Sequence, residues 1–332
     1  MSFRWGIVGY GWVARDHMAP AIAAAGHELI GVADPSPAAR AAAEASGARG
    51  WSETGELLLH RPDAIYVATP NHLHLAPVID AAEAGTAVLC EKPIAAPLDQ
   101  AEALVAAARD VTFGTAFDQR HHPAHRAIAG EIAANAIGQA TAVRISYACW
   151  VHPHWQPPGH ERAGNWRTDP QAAGGGAVID LALHGLDLGE MLVGEPLEKL
   201  HITLQRRVHD YPVDDGGMLT GRFAGGALFQ SHVAYNCPEV LPRRRLEIVG
   251  DRGMIVALDT MGQSAGGSVT LTCGKSGEAR PIAFDASLSP FTAQAQAFAA
   301  AVRGQAHDFC GRRDLRLMRT FSAAHEEAKA CL

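Results

Sequence analysis

Three residues that lie far apart in the sequence have the side chains that acid–base chemistry on a small substrate requires. Lys92 stands in Glu91-Lys92-Pro93 after an apolar segment, and the proline stiffens the turn that would hold the lysine over a cleft. Asp180 and His184 are spaced i and i+4 and therefore share one face of a predicted helix. A histidine oriented by a carboxylate suits a general base, but a buried Asp–His pair is equally often a structural hydrogen bond.

A glycine-rich segment near the N-terminus predicts a phosphate-binding turn. Residues 9–14 have the spacing G-x-G-x-x-A directly after a predicted strand and at the start of a predicted helix. The first glycine permits a tight turn, the second admits a pyrophosphate, and the helix N-terminus offers free N–H groups. Asp34 ends the second predicted strand, where its carboxylate can accept from ribose hydroxyls and repel the extra phosphate of NADP. We therefore predict a dinucleotide site for NAD, with NADP the less favoured cofactor.

The elements that must position these residues alternate in the first third of the chain. Predicted strands lie at 4–8, 28–33, 64–68, 86–90 and 111–116, and predicted helices at 13–25, 37–46, 74–84 and 98–109. This alternation indicates βαβ units and a parallel sheet. The segments 69–74 and 91–93 each follow a predicted strand, at the carboxyl edge where such sheets bind ligands.

The pattern changes after about residue 117. A predicted helix at 123–134 leads to a long strand at 141–151, a loop rich in His, Trp and Pro, and a triple glycine at 174–176 before a helix at 177–192. Short strands with glycine turns follow between 197 and 271, which indicates an antiparallel sheet, and two helices at 291–303 and 315–330 close the chain.

Composition limits the classes of protein that fit. A chain of 332 residues favours two domains, and 48% hydrophobic residues suffice for sizeable cores. A net charge of −7 provides no basic surface for nucleic acid, and no apolar run approaches the length of a membrane helix. The six cysteines form no CxxC pair, and we expect no secretory signal, so the sequence predicts a cytoplasmic protein without nucleic-acid or membrane partners.

Two groups of histidines need an interpretation. His152, His154 and His160 invite a metal site, but hydride chemistry needs none and the neighbouring prolines suggest a shaped loop, so we predict no metal. The second group is predicted to lie on the surface at the start of a helix and comprises His121, His122 and His125.

The order of these motifs resembles that of the Gfo/Idh/MocA family of oxidoreductases. The resemblance rests on segments 9–14, 69–74, 91–93, 166–169 and 174–184 and on Asp215 before a strand, and it covers nearly the whole chain. It implies an α/β protein with an N-terminal Rossmann domain, a doubly wound parallel sheet, over residues 1–118. It also implies a C-terminal α/β domain with an open, mostly antiparallel sheet over residues 119–332, whose last helix packs back on the first domain. A cleft between the domains and homodimers or homotetramers assembled through the sheets are implied as well.

The same resemblance implies roles for individual residues. Lys92 would contact substrate and nicotinamide ribose, while Asp180 and His184 would face the reacting carbon. Cofactor contacts are expected at Gly9, Gly11, Trp12, Val13, Asp34, Arg40, Thr69, Pro70, Asn71, His74, Glu91, Lys92, Gln119, Trp166 and Arg167. Substrate contacts are expected at Lys92, Trp150, Trp155, Asp180 and His184, where the tryptophans either stack on a sugar or pack the domain interface. Asp118 stands where a neutral residue is more frequent.

The predicted function is that of an NAD(P)-dependent oxidoreductase that moves hydride between nicotinamide and a secondary alcohol or carbonyl of a sugar, inositol or related polyol. His184 would take the hydroxyl proton, Asp180 would orient the imidazole or hold a neighbouring hydroxyl, and Lys92 would donate to the reacting oxygen. Two alternatives remain: an NAD-dependent glycosidase that uses transient oxidation, and a non-catalytic regulator that binds nucleotide.

Overall fold

Two sheets organise the protein, of which the computed structural model describes residues 2–156 and 165–332. The strands of the first sheet are β1 (Arg4–Val8), β2 (Glu28–Ala33), β3 (Arg49–Trp51), β4 (Ala64–Val67), β5 (Ala87–Cys90) and β6 (Phe113–Thr115). All pairs are parallel, in the order β3-β2-β1-β4-β5-β6. The central strands are apolar and buried along their length because helices cover both faces of the sheet. This arrangement confirms the predicted doubly wound sheet.

The helices of this part of the chain are α1 (Ala19–Ala24), α2 (Pro37–Ala45), α3 (Thr54–Leu58), α4 (Leu75–Glu83) and α5 (Leu98–Ala107). The helix predicted at 13–25 begins instead as a π-helical turn, Ala14–Met18, which continues into α1. Pro20 lies at this junction and has no N–H to donate to the preceding turn, which accounts for the irregular hydrogen bonding.

The second sheet comprises β7 (Ala140–Ala148), β8 (Leu197–Gln205), β9 (Gly216–Phe223), β10 (Leu228–Ala234), β11 (Arg244–Gly250), β12 (Gly253–Leu258), β13 (Ser268–Cys273) and β14 (Ala279–Pro281). Their order is β14-β13-β12-β11-β7-β10-β9-β8. All neighbours are antiparallel except β7 and β10, which run parallel. The prediction of a mostly antiparallel second sheet is confirmed.

The remaining helices are α6 (Pro123–Ala133), α7 (Pro170–Ala173), α8 (Ala177–Val193), α9 (Pro290–Val302) and α10 (Gly311–Lys329). Helix α8 packs against one face of the second sheet, on β7, β9 and β10. Helix α9 packs against α1 and so returns to the first sheet, whereas α10 contacts both α5 beside the first sheet and β8 of the second. The boundary expected after residue 118 falls between the two sheets and stays a prediction.

Three histidines contradict the sequence interpretation. His121, His122 and His125 are buried rather than exposed, so the predicted surface at the start of α6 is wrong. The reason is that the loop after β12 covers this helix: Nε2 of His125 lies 3.0 Å from the hydroxyl of Thr260, and Nδ1 lies 2.8 Å from the carbonyl of Gln119. In the described part of the chain, no helix is long and apolar enough to span a membrane.

Candidate active site

A cavity of about 420 Å³ lies where the loops after the parallel strands meet α8. Most of the predicted site residues line it, namely Gly9, Gly11, Trp12, Val13, Asp34, Thr69, Pro70, Asn71, Glu91, Lys92, Trp155, Trp166, Arg167, Asp180 and His184. We call the part formed by Gly9, Gly11 and Asp34 the glycine end, and the part formed by Lys92, Asp180 and His184 the lysine end.

Backbone geometry shapes the glycine end. Gly9 has a φ of +85°, and a Cβ there would lie 2.8 Å from the amide nitrogen of Thr69, so only glycine lets these two turns approach. A Cβ on Gly11 would meet no atom within 4 Å, which leaves open space above this peptide. The chain then enters the π-helical turn, whose N-terminal amides can receive an anion. These features fit a bound pyrophosphate.

Asp34 closes the glycine end. Its Oδ2 accepts from the backbone amide of Tyr10 at 2.7 Å, and its Oδ1 accepts from the amide of Ser36 at 2.8 Å. Each oxygen retains a lone pair for a further donor such as a ribose hydroxyl. Arg40 lies outside the lining and braces the same turn, because its guanidinium donates to the carbonyls of Asp34 and Pro35 at 2.8 and 2.9 Å.

His74 ties two of the cavity loops together from below. Nδ1 lies 3.0 Å from the carbonyl of Pro93 and Nε2 lies 2.9 Å from the carbonyl of Thr69. Burial, assisted by the charge of Lys92, lowers the pKa of His74 against the opposing effect of these carbonyls. The side chain is fully buried and is not part of the lining, so the structure places it behind the loops that the cofactor was expected to contact.

Lys92 and Asp180 form the first charged pair of the lysine end. The Lys92 ammonium donates to Oδ1 of Asp180 at 2.5 Å and to its backbone carbonyl at 2.8 Å. The hydroxyl of Tyr235 donates to the other carboxylate oxygen, and Nε of Arg167 lies 3.9 Å from it. Burial alone would raise the pKa of Asp180, but Lys92 and Arg167 outweigh it and hold this pKa well below its usual range. Asp180 therefore stays ionised.

His184 faces a different carboxylate from the one expected. Its Nδ1 lies 3.1 Å from Oδ1 of Asp118, and the ring of Tyr147 meets the imidazole edge-on at 5.9 Å. The expectation that Asp180 orients His184 is thus not met, because Lys92 and Tyr235 engage Asp180. Burial opposes ionisation of Asp118, yet His184 and Gln119 together lower its pKa.

The segment before α8 explains how this helix reaches the cavity. The carboxylate of Asp214 accepts from the backbone amides of Gly176 and Val178 at 2.8 Å each, which satisfies donors that the helix leaves free. A Cβ on Gly176 would lie 1.9 Å from the backbone oxygen of Asp214, so glycine is required for this close approach. The triple glycine therefore lets α8 begin directly against the strand that follows Asp214.

Aromatic side chains and one arginine form the outer wall of the cavity. The guanidinium of Arg167 lies 4.8 Å from the ring centre of Trp166, 5.5 Å from that of Trp155 and 5.8 Å from that of Trp12. The rings of Trp12 and Trp155 are also in contact with each other. Because Trp12 comes from the glycine turn and Trp155 from the loop after β7, this pair joins the two halves of the chain.

Two other predicted residues lie away from the cavity. Trp150 packs against His209, with ring centres 4.8 Å apart, and does not line the cavity. The amide of Gln119 donates to Asp118 and to the carbonyl of Gly262, at 2.8 Å each, and is buried. Within residues 2–156 and 165–332 no group of three metal-ligating side chains occurs, and His160 lies outside these ranges.

Sequence reasoning missed several lining residues. Asp118, Tyr147, Gln263 and Phe291 line the cavity, and Tyr235 supports it through Asp180. Asp118 carried a signal, since it lies two residues after the predicted strand 111–116, at the carboxyl edge of the sheet. The two tyrosines carried none, because strand tyrosines are ordinary core residues.

Two family models match the chain. The model of an oxidoreductase family with an NAD-binding Rossmann fold, GFO/IDH/MocA, matches residues 3–112. The model of the GFO/IDH/MocA C-terminal domain matches residues 125–256. Together they span β1 to β5 of the first sheet and β7 to β11 of the second.

Comparisons with individual proteins agree with the family models. The chain is 35% identical to 1,5-anhydro-D-fructose reductase of Ensifer adhaerens, over 81% of this chain and 79% of the relative. It is 28% identical to D-xylose 1-dehydrogenase (NADP⁺) 2 of Haloferax volcanii, over 98% of this chain and 97% of the relative. The fold matches levoglucosan dehydrogenase in complex with NADH and levoglucosan with a TM-score of 0.85, at 23% identity over 99% and 98% of the two chains. The resemblance seen in the sequence is confirmed: the chain belongs to the Gfo/Idh/MocA family of oxidoreductases.

Proposed function

We propose that the protein transfers hydride between a nicotinamide dinucleotide and a secondary alcohol or carbonyl of a sugar or related polyol. The observation that carries this proposal is the meeting of Lys92, Asp180 and His184 at one end of a cavity whose other end has the glycine turn and Asp34. The named relatives act on sugars or anhydrosugars, which supports the substrate class.

NAD is the cofactor that the glycine end fits best. The open space above Gly11 admits the pyrophosphate, and the Asp34 carboxylate suits a ribose diol but repels a 2′-phosphate. Arg40 is committed to two backbone carbonyls, so it is not free to compensate fully for that repulsion. When bound, the nicotinamide supplies the hydride acceptor or donor.

The residues of the lysine end divide the proton chemistry. The Lys92 ammonium has three N–H groups and uses two on Asp180, so one remains for the oxygen of the reacting carbon. That donor stabilises the negative charge that develops on the oxygen. His184 takes the hydroxyl proton during oxidation and returns it during reduction. Asp180 holds the lysine in place.

The outer wall suits a sugar or polyol. Trp155 and Trp166 offer apolar ring surface to a sugar face, while Arg167 stands beside them with donors for its hydroxyls. Trp150 is not part of this surface.

We also propose a domain boundary, an assembly and a location. We place the boundary between residues 118 and 119 and expect a homodimer or homotetramer that forms through the outer face of the second sheet. Met218 and Leu228 are 41% and 58% exposed on that face, opposite α8. All six cysteines are free, which suits the cytoplasm. No nucleic-acid or membrane partner is proposed.

The test is dinucleotide reduction across a panel of aldoses, anhydrosugars and inositols, with NAD⁺ and NADP⁺ in parallel. We expect turnover with NAD⁺ that collapses in Lys92→Met and persists in Lys199→Met, a matched change on the exposed edge of β8. Tight retention of NAD without net reduction would favour the glycosidase. Binding without any turnover would favour a regulator.

A further inference from the structure

The carboxylate that faces His184 belongs to a segment without a task in the proposed reaction. Asp118 follows the parallel sheet and begins a short helical turn, Asp118–Arg120. Its side chain lines the cavity and yet is almost fully buried, at 3% exposure. A buried ionised carboxylate is stable only with compensating donors, so the partners of this side chain show what it is placed to do.

His184 is one of those partners, through two atoms that have no alternative. Oδ1 of Asp118 and Nδ1 of His184 lie 3.1 Å apart, and among the described residues neither has another hydrogen-bond partner. The ring N–H is not yet aligned with the oxygen, as is common in active sites before ligands bind. Tyr147 packs edge-on against the imidazole and limits the positions that the ring can take.

The turn that carries Asp118 is joined to α8 by two contacts. Besides the Asp118–His184 contact, Nε of Arg120 donates to both carboxylate oxygens of Asp187, at 2.8 and 2.7 Å. Asp187 lies three residues after His184 on the same helix. Within the turn, Gln119 donates to Oδ2 of Asp118 at 2.8 Å. The turn is therefore held at a fixed distance from the histidine.

We propose that Asp118 is the positioning residue of His184: it accepts the Nδ1–H, selects that tautomer and leaves Nε2 as the base that faces the substrate. Lys92–Asp180 and His184–Asp118 are then two separate pairs, one for charge stabilisation and one for proton transfer. The catalytic consequence rests on the proposed function, whereas the tautomer does not.

The tautomer is measured by long-range ¹H–¹⁵N NMR of the ¹⁵N-histidine-labelled full chain at about pH 8.5, above the ordinary histidine pKa of about 6.5. The His184→Asn spectrum assigns the signal. We expect the Nδ1–H form of His184 in the wild type and in Asp118→Asn, whose amide oxygen still accepts. Asp118→Ala should lose it, and Asp110→Ala, a matched change on the exposed surface, should keep it.

Kinetics provide the second readout. Asp118→Ala should lower kcat about 10²-fold with little change in KM or NADH affinity, and Asp118→Asn should recover most of the loss. A parallel loss of NADH binding would mean a merely structural role and would overturn the proposal. So would an Nε2–H tautomer in the wild type, a measurement that decides the matter even if Asp118→Ala does not fold. Absence of turnover with the expected tautomer would instead refute the proposed function.

Discussion

The two ends of the cavity are built in different ways. The glycine end is formed by backbone from residues 9–14 and by one carboxylate, Asp34, whose oxygens are held by nearby amides. The lysine end is formed by side chains from segments that are distant in sequence, which meet only when α8 docks between the sheets. Chemistry that needs backbone shape can therefore be encoded locally, whereas chemistry that needs paired charges depends on tertiary contacts.

The largest expected effect is a loss of turnover at the lysine end that leaves cofactor binding at the glycine end unchanged. His184→Asn removes the proton acceptor of the lysine end and should lower kcat about 10³-fold, since general acid–base catalysis is worth 10²–10⁴. NADH affinity, measured by fluorescence titration, should stay unchanged because the glycine end is untouched. His201→Asn, on the exposed side of β8, is the matched control. Equal losses in turnover and in cofactor affinity would show that the ends are not independent.

A smaller effect should follow from loosening the Lys92–Asp180 pair. Tyr235→Phe removes a hydroxyl that donates to Asp180. Because a hydrogen bond to a charged group contributes about 1.5–3 kcal/mol, kcat should fall about tenfold, as steady-state assays would show. The control is Tyr211→Phe, whose hydroxyl donates to the carbonyl of Val151 at 3.4 Å and to no carboxylate of the described residues. Unchanged kcat would mean that Lys92 and Arg167 alone suffice to hold Asp180.

At the glycine end we expect a change in the preference for NAD⁺ over NADP⁺. Asp34→Ser removes the charge that repels a 2′-phosphate, and the ratio of kcat/KM for NADP⁺ to that for NAD⁺ should rise about fivefold, which corresponds to about 1 kcal/mol. The double variant Asp34→Ser/Arg40→Ala should keep most of that gain, because Arg40 donates to the carbonyls of Asp34 and Pro35 rather than to the cofactor. A ratio that does not move would remove Asp34 from the account of cofactor choice.

The last prediction concerns stability in acid rather than catalysis. Burial lowers the pKa of His121 to about 4 and of His125 to about 3, so both bind protons more readily in the unfolded chain. The free energy of unfolding should therefore fall as the pH drops below about 6.5, by up to about 1.4 kcal/mol per pH unit for each histidine. We would measure the free energy of unfolding by urea titration at several pH values. It should fall less steeply with decreasing pH in His125→Gln than in the wild type or in His201→Gln. The same dependence on pH in all three would exclude His125 as a source of acid sensitivity.

The sequence allowed the glycine end to be predicted in detail. Its residues are neighbours in the chain, and their conformations follow from glycine spacing and from the end of a strand. At the lysine end the residues could be named but their pairing could not. The i and i+4 spacing placed Asp180 and His184 on one face of α8, yet their actual partners, Lys92 and Asp118, follow two strands of the other sheet. Only the packing of α8 against those loops decides which carboxylate meets which base.

The two sheets were predicted, but the shortest elements and the burial of three histidines were not. Alternation and composition identified both sheets, while three-residue β3 and five-residue α3 are too short to leave a pattern. The burial of the histidines at the start of α6 could not be predicted because their cover comes from far along the chain: Thr260 of the loop after β12 contacts His125, and Phe309 stacks on His121.

The return of the closing helices bears on how the protein is made. Phe298 of α9 packs against Trp5 of β1, with ring centres 5.7 Å apart, and both side chains are fully buried. During synthesis the tryptophan of β1 therefore stays uncovered on this side until residue 298 has left the ribosome. A fragment that ends at residue 118 would have the strands of the nucleotide-binding sheet but not the part of their cover that α9 provides, so a region that is translated early is completed late.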